Sequence, residues 1–394
     1  MRMLSLKKRL LVPVSLGITF FLGFEGGGFQ LALLQVAAEF QLSNTLMGFL
    51  VTAQFIAVML SPLLFGPIAD RIGKKRVLLF AMPIFIVGCF FAASAWTAAT
   101  FIIGVFIIGC GVGVCECLVS ANMTDNFPEQ ANRYMNMTQC TFSLGAVVSP
   151  ILTKYLMDQF AMSWRGAFFM AGLGYVVLLP LMALAHSVSV RTPEKIKVSG
   201  SLLQLGKQKF FVALFLCIFL YVGIETGIAY FADSLFSVEI MRPELGAYAI
   251  STFWLIMSGS RLLFSFIKIQ ERKAILAGYG LSALAGILML VLPNAAVTFF
   301  GIALIGFAFG PIWPMIMTMG TKSSPEMTGL VSSLLMAAGG LGGALLPVMM
   351  GACTDTLGLY WAFGILIAFM IVGFFILIWG TARKSSQNTT VNHR

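Results

Sequence analysis

Charged side chains are scarce in this chain. Asp, Glu, Lys and Arg make up 10% of its 394 residues, against 59% apolar residues, whereas a water-soluble domain carries roughly a quarter of its residues as charges. That shortage excludes a soluble globular protein. Histidine is almost missing: His186 lies near the end of a predicted helix and His393 in the tail, so no imidazole proton relay is expected at mid-membrane depth. The seven cysteines sit mostly inside predicted helices, where they act as small packing residues. Cys115 and Cys117, two apart on one helix, face different ways, so neither a disulfide framework nor a metal site is expected. No nucleophile, base and orienting group stand together and no phosphate-cradling glycine loop occurs, so the chain does not read as an enzyme and no cofactor is expected.

What is present is a series of apolar runs of about 18 to 25 residues, the length at which a helix crosses a hydrocarbon core about 30 Å thick. Only helices and closed barrels satisfy their own backbone there, and these runs lack the alternation of barrel strands. Twelve helices are predicted: 10–37, 45–69, 76–96, 98–124, 133–157, 163–187, 209–235, 245–267, 273–293, 295–320, 326–351 and 357–380. The first follows Lys7, Lys8 and Arg9 but is too long and polar-interrupted for a signal peptide. With the N-terminus in the cytoplasm, only Lys154, Arg165 and Arg242 of the 25 basic residues fall near the outer face. Both termini are therefore expected in the cytoplasm, in a multi-pass protein of the inner (plasma) membrane. The net charge of +10 follows from this bias and from the anionic leaflet it faces, so it gives no ground for nucleic-acid binding.

The two halves of the chain repeat each other. Gly145, Pro150, Asp158 and Trp164 recur as Gly342, Pro347, Asp355 and Trp361, and Gly109 and Gly113 recur as Gly306 and Gly310, all 197 residues later. Gly23-Phe24-Glu25-Gly26-Gly27 resembles Gly223-Ile224-Glu225-Thr226-Gly227. The expected organisation is an all-α membrane protein of two pseudo-symmetric six-helix bundles: 1–187, a basic cytoplasmic linker at 188–208, and 209–394 with a short cytoplasmic tail. A parallel repeat of this kind places a substrate path between the bundles, opened alternately to each side. The chain is expected to work as a monomer.

Between helices 2 and 3 stands Gly66-Pro67-Ile68-Ala69-Asp70-Arg71-Ile72-Gly73-Lys74-Lys75-Arg76. Gly66 permits close helix approach, Asp70 and Arg71 can pair or cap helix ends, and the basic cluster marks the cytoplasmic face. This segment resembles the G-x-L-A-D-R-x-G-R-K-R signature of the major facilitator superfamily, with Pro67 at the free position and Ile68 for Leu, and the resemblance covers essentially the whole chain. It implies a gating role for Gly66, Asp70, Arg71, Gly73 and Arg76. The equivalent loop of the second half is reduced to Gly259-Ser260-Arg261.

Within that superfamily, three patches look like the fucose permease type of sugar:proton symporters. They are Glu116-Cys-Leu-Val-Ser-Ala-Asn122 followed by Phe127-Pro128-Glu129, Asn136, Leu144-Gly145-Ala146 and Pro150; Leu220-Tyr221-Val222-Gly223-Ile224-Glu225-Thr226-Gly227; and Gly310-Pro311-Ile312-Trp313-Pro314. Val105 also fits that type. The helix 1 acid departs from it, standing at Glu25 rather than at Gln30.

Glu25, Glu116 and Glu225 fall well inside predicted helices. A charge at the bilayer centre costs on the order of 2.5–3.5 kcal/mol on insertion scales, so intramembrane acids are functional candidates, with interhelical hydrogen bonding as the structural alternative. Lys154, Arg261 and Lys268 lie towards helix ends, where they can snorkel, so no cation is expected to neutralise the acids and anionic cargo is disfavoured. Desolvated acids of this kind suit proton coupling. A neutral polyol needs amides and flat apolar faces, and the candidates are Gln30, Gln54, Asn122, Asn136 and Gln139 with Trp254 and Trp313, each of which could instead join helices. Trp313 is the repeat partner of Glu116 and a plausible opposing wall. The leading expectation is a proton-coupled importer of a small neutral solute, a sugar or polyol; the alternative is a proton-driven exporter of cationic or lipophilic compounds, for which Glu25 in an aromatic, Met-rich cavity is well suited.

Overall fold

The computed structural model describes residues 2–127, 131–160, 162–187, 205–267, 269–323 and 328–382. Of the expected linker, residues 188–204 lie outside this set. The first half consists of α1 (Arg2–Phe40), α2 (Asn44–Ile72), α3 (Lys74–Ala93), α4 (Ala98–Asn126), α5 (Ala131–Phe160) and α6 (Arg165–Leu184). The second consists of α7 (Lys209–Ser234), α8 (Gly246–Phe266), α9 (Glu271–Val291), α10 (Ala295–Phe309), α11 (Ile312–Ser323), α12 (Thr328–Leu357) and α13 (Leu359–Thr381). Helix starts follow local capping chemistry: Ser43, Thr97 and Asn294 accept the backbone N–H three residues on, at α2, α4 and α10.

Among the described residues, eleven spans are long and apolar enough to cross a bilayer, α10 and α11 counting as one. The twelfth crossing is α8, 21 residues long and carrying Arg261. Large apolar side chains such as Phe80, Val177, Phe300 and Phe375 point outward and exposed around the bundle, a surface suited to lipid rather than water.

The internal repeat is visible in the packing. In the first half α1 lies against α5 and α6, α2 against α4, and α3 against α4 and α6. The second half reproduces each pairing: α7 with α12 and α13, α8 with α10, and α9 with α10 and α13. The repeated glycines explain the crossings. A Cβ on Gly145 would collide with the Phe20 carbonyl, and one on Gly342 with the Phe219 carbonyl, so backbones touch where α5 crosses α1 and where α12 crosses α7.

Several boundaries differ from the sequence reading. The expected loop after helix 2 contracts to Gly73, whose φ of 104° ends α2 and starts α3; glycine alone adopts that conformation without strain. Asp70 and Arg71 therefore belong to the last turn of α2. The single helix expected at 295–320 is interrupted at Gly310-Pro311, because Pro311 has no N–H to continue the ladder. Helix α7 continues through a wider turn at Leu235–Glu239.

The halves meet through α2 with α12, α5 with α8, and α1 with α7 and α8. Polar contacts join them at the end remote from the start of α1. Asp355 of α12 accepts from Asn44 N (3.0 Å), Asn44 Nδ2 (2.9 Å), Thr45 N (2.8 Å) and Thr45 Oγ1 (2.5 Å). Thr52 donates to the Ala344 carbonyl, and Ser251 to that of Val147 at 2.8 Å.

Candidate functional site

Two polar layers lie between the halves. The first sits in the half of the bundle nearer the joined end. Gln54 of α2 donates through Nε2 to both carboxylate oxygens of Glu25 on α1, at 3.1 and 3.0 Å, and accepts from the Tyr230 hydroxyl of α7 at 3.3 Å. Glu25 is 2% exposed and, among the described residues, in no ion pair. Beside it Trp254 Nε1 of α8 donates to Gln30 Oε1 of α1 at 2.8 Å. Aromatic rings fill the surroundings: Phe29 lies edge-on to Tyr230 at 5.1 Å, and Phe142 to Trp254 at 6.0 Å.

The second layer gathers Glu116, Gln139 and Ser143 from the first half with Tyr221, Glu225, Arg261 and Trp313 from the second. Tyr221 and Glu225 are four apart on α7 and so share a face; the Tyr221 hydroxyl donates to Glu225 Oε1 at 2.8 Å. Arg261 reaches in from α8. Its Nη2 donates to Tyr221 Oη at 3.2 Å and lies 3.5 Å from Glu225 Oε1, while Nη1 donates to Ser143 Oγ of the other half at 3.2 Å. Glu116 lies close to Gln139 and within the field of Arg261. Next to this cluster a small cleft of about 30 Å³ is lined by Gln139, Cys140, Arg261, Leu262, Trp313 and Pro314. The Trp313 ring stands 6.3 Å from that of Tyr221.

This arrangement corrects the expectation that the acids lack a cation. Arg261 does not snorkel to a helix end; its side chain is 15% exposed and pairs with Glu225, itself 14% exposed. The argument against anionic cargo loses its premise with it. Sequence distance hid the contact, because the partners stand on different helices and only tertiary packing turns Arg261 inward.

The remaining candidates are dispersed. Asn122 is 1% exposed and ties the end of α4 to the segment after α6, accepting from Ser187 Oγ at 2.5 Å and Asn126 Nδ2 at 3.1 Å. Gln30 and Gln54 belong to the first layer, Gln139 and Trp313 to the second. Arg76 is exposed at the start of α3. The side chains of Asp70, Arg71 and Asn136, and the surroundings of Gly66, lie outside the described residues. Sequence reading missed Tyr221, Tyr230 and Ser143; Tyr221 was detectable as the residue one helical turn before Glu225. It also missed Asp233, an acid 4% exposed on α7 whose carboxylate packs against Gly246 at the start of α8.

Two repeated six-helix bundles with polar side chains buried along their common seam define a membrane carrier, not an enzyme. The chain belongs to the Major Facilitator Superfamily, whose sequence model matches residues 16–345 and again 214–393. It is similar to the multidrug resistance protein MdtL of Shigella flexneri, 26% identical over 349 residues that span 86% of this chain and 88% of that one. MdtL of Escherichia coli O127:H6 is 26% identical with the same coverage. Among solved structures, a point mutant of the nucleoside transporter NupG superposes with a TM-score of 0.76 at 14% identity, covering 94% of this chain and all of that one. A point mutant of the E. coli fucose:proton symporter FucP gives 0.68 at 18% identity over 95% of this chain and all of that one. These two structures speak for the fold alone.

Proposed function

We propose that this transporter is a proton-driven exporter of cationic or lipophilic compounds. The observation that carries the proposal is the Glu25 layer: a buried carboxylate, held by an amide and walled by aromatic rings, with no cation among the described residues to fix its charge. Such a group can exchange a proton when its surroundings change between the two sides of the membrane. The relatives named for multidrug resistance favour the same reading.

The sugar importer has less support. Gln30 is bonded to Trp254, Gln54 to Glu25 and Tyr230, and Asn122 to Ser187, so three of the five amides expected to hold a polyol are engaged in packing contacts. The proposal includes an inner-membrane location, cytoplasmic termini and a monomeric working unit. The test is ethidium transport in inside-out vesicles: the exporter reading predicts accumulation when the lumen is acidified and its collapse with nigericin. Proton-driven accumulation of sugars in right-side-out vesicles, with no accumulation of ethidium in inside-out ones, would reverse the choice.

A further inference from the structure

Lys75 and Arg272 are repeat partners, 197 residues apart, each in the first turn of a helix that packs against the last helix of its half. Their side chains are used differently. Lys75 Nζ turns onto the end of α6 and donates to the carbonyls of Ala183 at 2.8 Å and Ala185 at 2.6 Å. Arg272 uses only Nε, which donates to Thr381 Oγ1 at the end of α13 at 2.7 Å; Nη1 and Nη2 have no partner among the described residues. Lys209, at the start of α7, lies beside the same end of α13, its ammonium 4.8 Å from the centre of the Trp379 ring. Lys273 is exposed next to Arg272. The acid at these helix ends, Glu271, is held by Lys322 of α11 at 2.5 Å. Three positive charges thus gather around one helix end, with no acid left to balance them among the described residues. The negative end of the α13 dipole is offset by the starts of α7 and α9, neither of which has a side-chain cap. Deeper in the membrane, Trp379, Phe375 and Val372 are exposed on one face of α13, at helical spacings of four and three.

We infer that the corner formed by α7, α9 and α13 is a binding site for an anionic phospholipid, its phosphate held among Lys209, Arg272 and Lys273 and its acyl chains lying along the Trp379–Phe375–Val372 face. The inference is independent of the cargo and of the direction of transport. A guanidinium with both terminal nitrogens free presents the planar pair of donors that phosphate oxygens accept. Basic side chains at the membrane surface attract anionic headgroups, and an indole belongs at headgroup depth. A soluble phosphate ester would meet the same cations but leave the apolar face uncovered, whereas a lipid satisfies both. The equivalent corner of the first half offers no such site through Lys75, because its ammonium is committed to the carbonyls that end α6.

The test is native mass spectrometry of the purified full chain, offered dioleoyl phosphatidylglycerol and dioleoyl phosphatidylcholine at equal concentration. The wild type should retain phosphatidylglycerol in preference. Arg272→Gln and Lys209→Gln should each lower that preference by about fivefold, the scale of one basic residue at an anionic surface. Arg272→Lys keeps the charge and should lose less than Arg272→Gln, which guards against a folding artefact. Arg76→Gln removes an exposed cation from the same end of the first half and should leave the preference within about twofold. Glycerol phosphate, which has the headgroup chemistry without acyl chains, should not displace the lipid. The inference is overturned if the wild type shows no preference, or if Arg272→Gln and Lys209→Gln both keep it. It is equally overturned if Arg76→Gln costs as much as Arg272→Gln, since net positive charge alone would then explain the binding, or if glycerol phosphate displaces the lipid.

Discussion

Asp355 holds Thr45 twice, its Oδ2 accepting both the backbone N–H at 2.8 Å and the side-chain hydroxyl at 2.5 Å. Asp355 ends α12 and Thr45 begins α2, so an acid of one half caps a helix of the other and meets the positive end of its dipole. The contact is a latch on the joined end of the molecule. Asp355→Asn leaves one oxygen to accept and removes the charge. Since the site is solvent-exposed, the closed arrangement should lose on the order of 1 kcal/mol, a severalfold shift in population. Electron-paramagnetic distance measurements between spin labels at the ends of α2 and α12 should show a larger long-distance fraction in the variant; an unchanged distribution would reduce the latch to a surface contact.

The glycine crossings predict a contrast within one residue type. A Cβ at Gly145 meets the Phe20 carbonyl, whereas one at Gly26 meets nothing within 4 Å. Gly145→Ala should therefore force α5 away from α1 and destabilise the first half by about 1–3 kcal/mol, the usual range for overpacking. Gly26→Ala should be neutral or slightly stabilising. Thermal unfolding followed by fluorescence in detergent distinguishes them, and equal melting temperatures would refute the backbone contact.

The helices and their repeat were legible in the sequence because both follow from local quantities: the length of apolar runs, and glycine and proline positions that return at a fixed offset. The break at Gly310-Pro311 was visible as a dipeptide, but run length carried the prediction across it. The acids were legible because a carboxylate inside an apolar run stands out against its neighbours. Their partners were not. Gln54 meets Glu25, Trp254 meets Gln30 and Arg261 meets Glu225 only through packing between helices, and no residue spacing along the chain encodes those distances.

The Arg261–Glu225 pair should be strongly coupled. Removing either partner leaves a largely buried charge alone, so Arg261→Met or Glu225→Gln singly should lower stability by about 3 kcal/mol, and the double variant by clearly less than the sum. A double-mutant cycle on urea or thermal unfolding measures this. Additive losses would mean that the two groups do not interact in the membrane.

Orientation is checked by reporters fused after Lys195 and after Arg383. The distribution of basic residues predicts a cytoplasmic signal at both positions, and a periplasmic signal at either would invert the proposed direction of transport.

The central claim is that Glu25 carries the coupled proton. Glu25→Gln preserves size and lets an amide take the place of the carboxylate beside Gln54, but it cannot titrate. In proteoliposomes the variant should still exchange labelled tetraphenylphosphonium for unlabelled tetraphenylphosphonium at a rate within severalfold of wild type, since exchange needs no net proton movement. It should fail to accumulate that cation when a pH gradient is imposed. Accumulation at the wild-type level by Glu25→Gln would contradict the account and move the coupling to another acid.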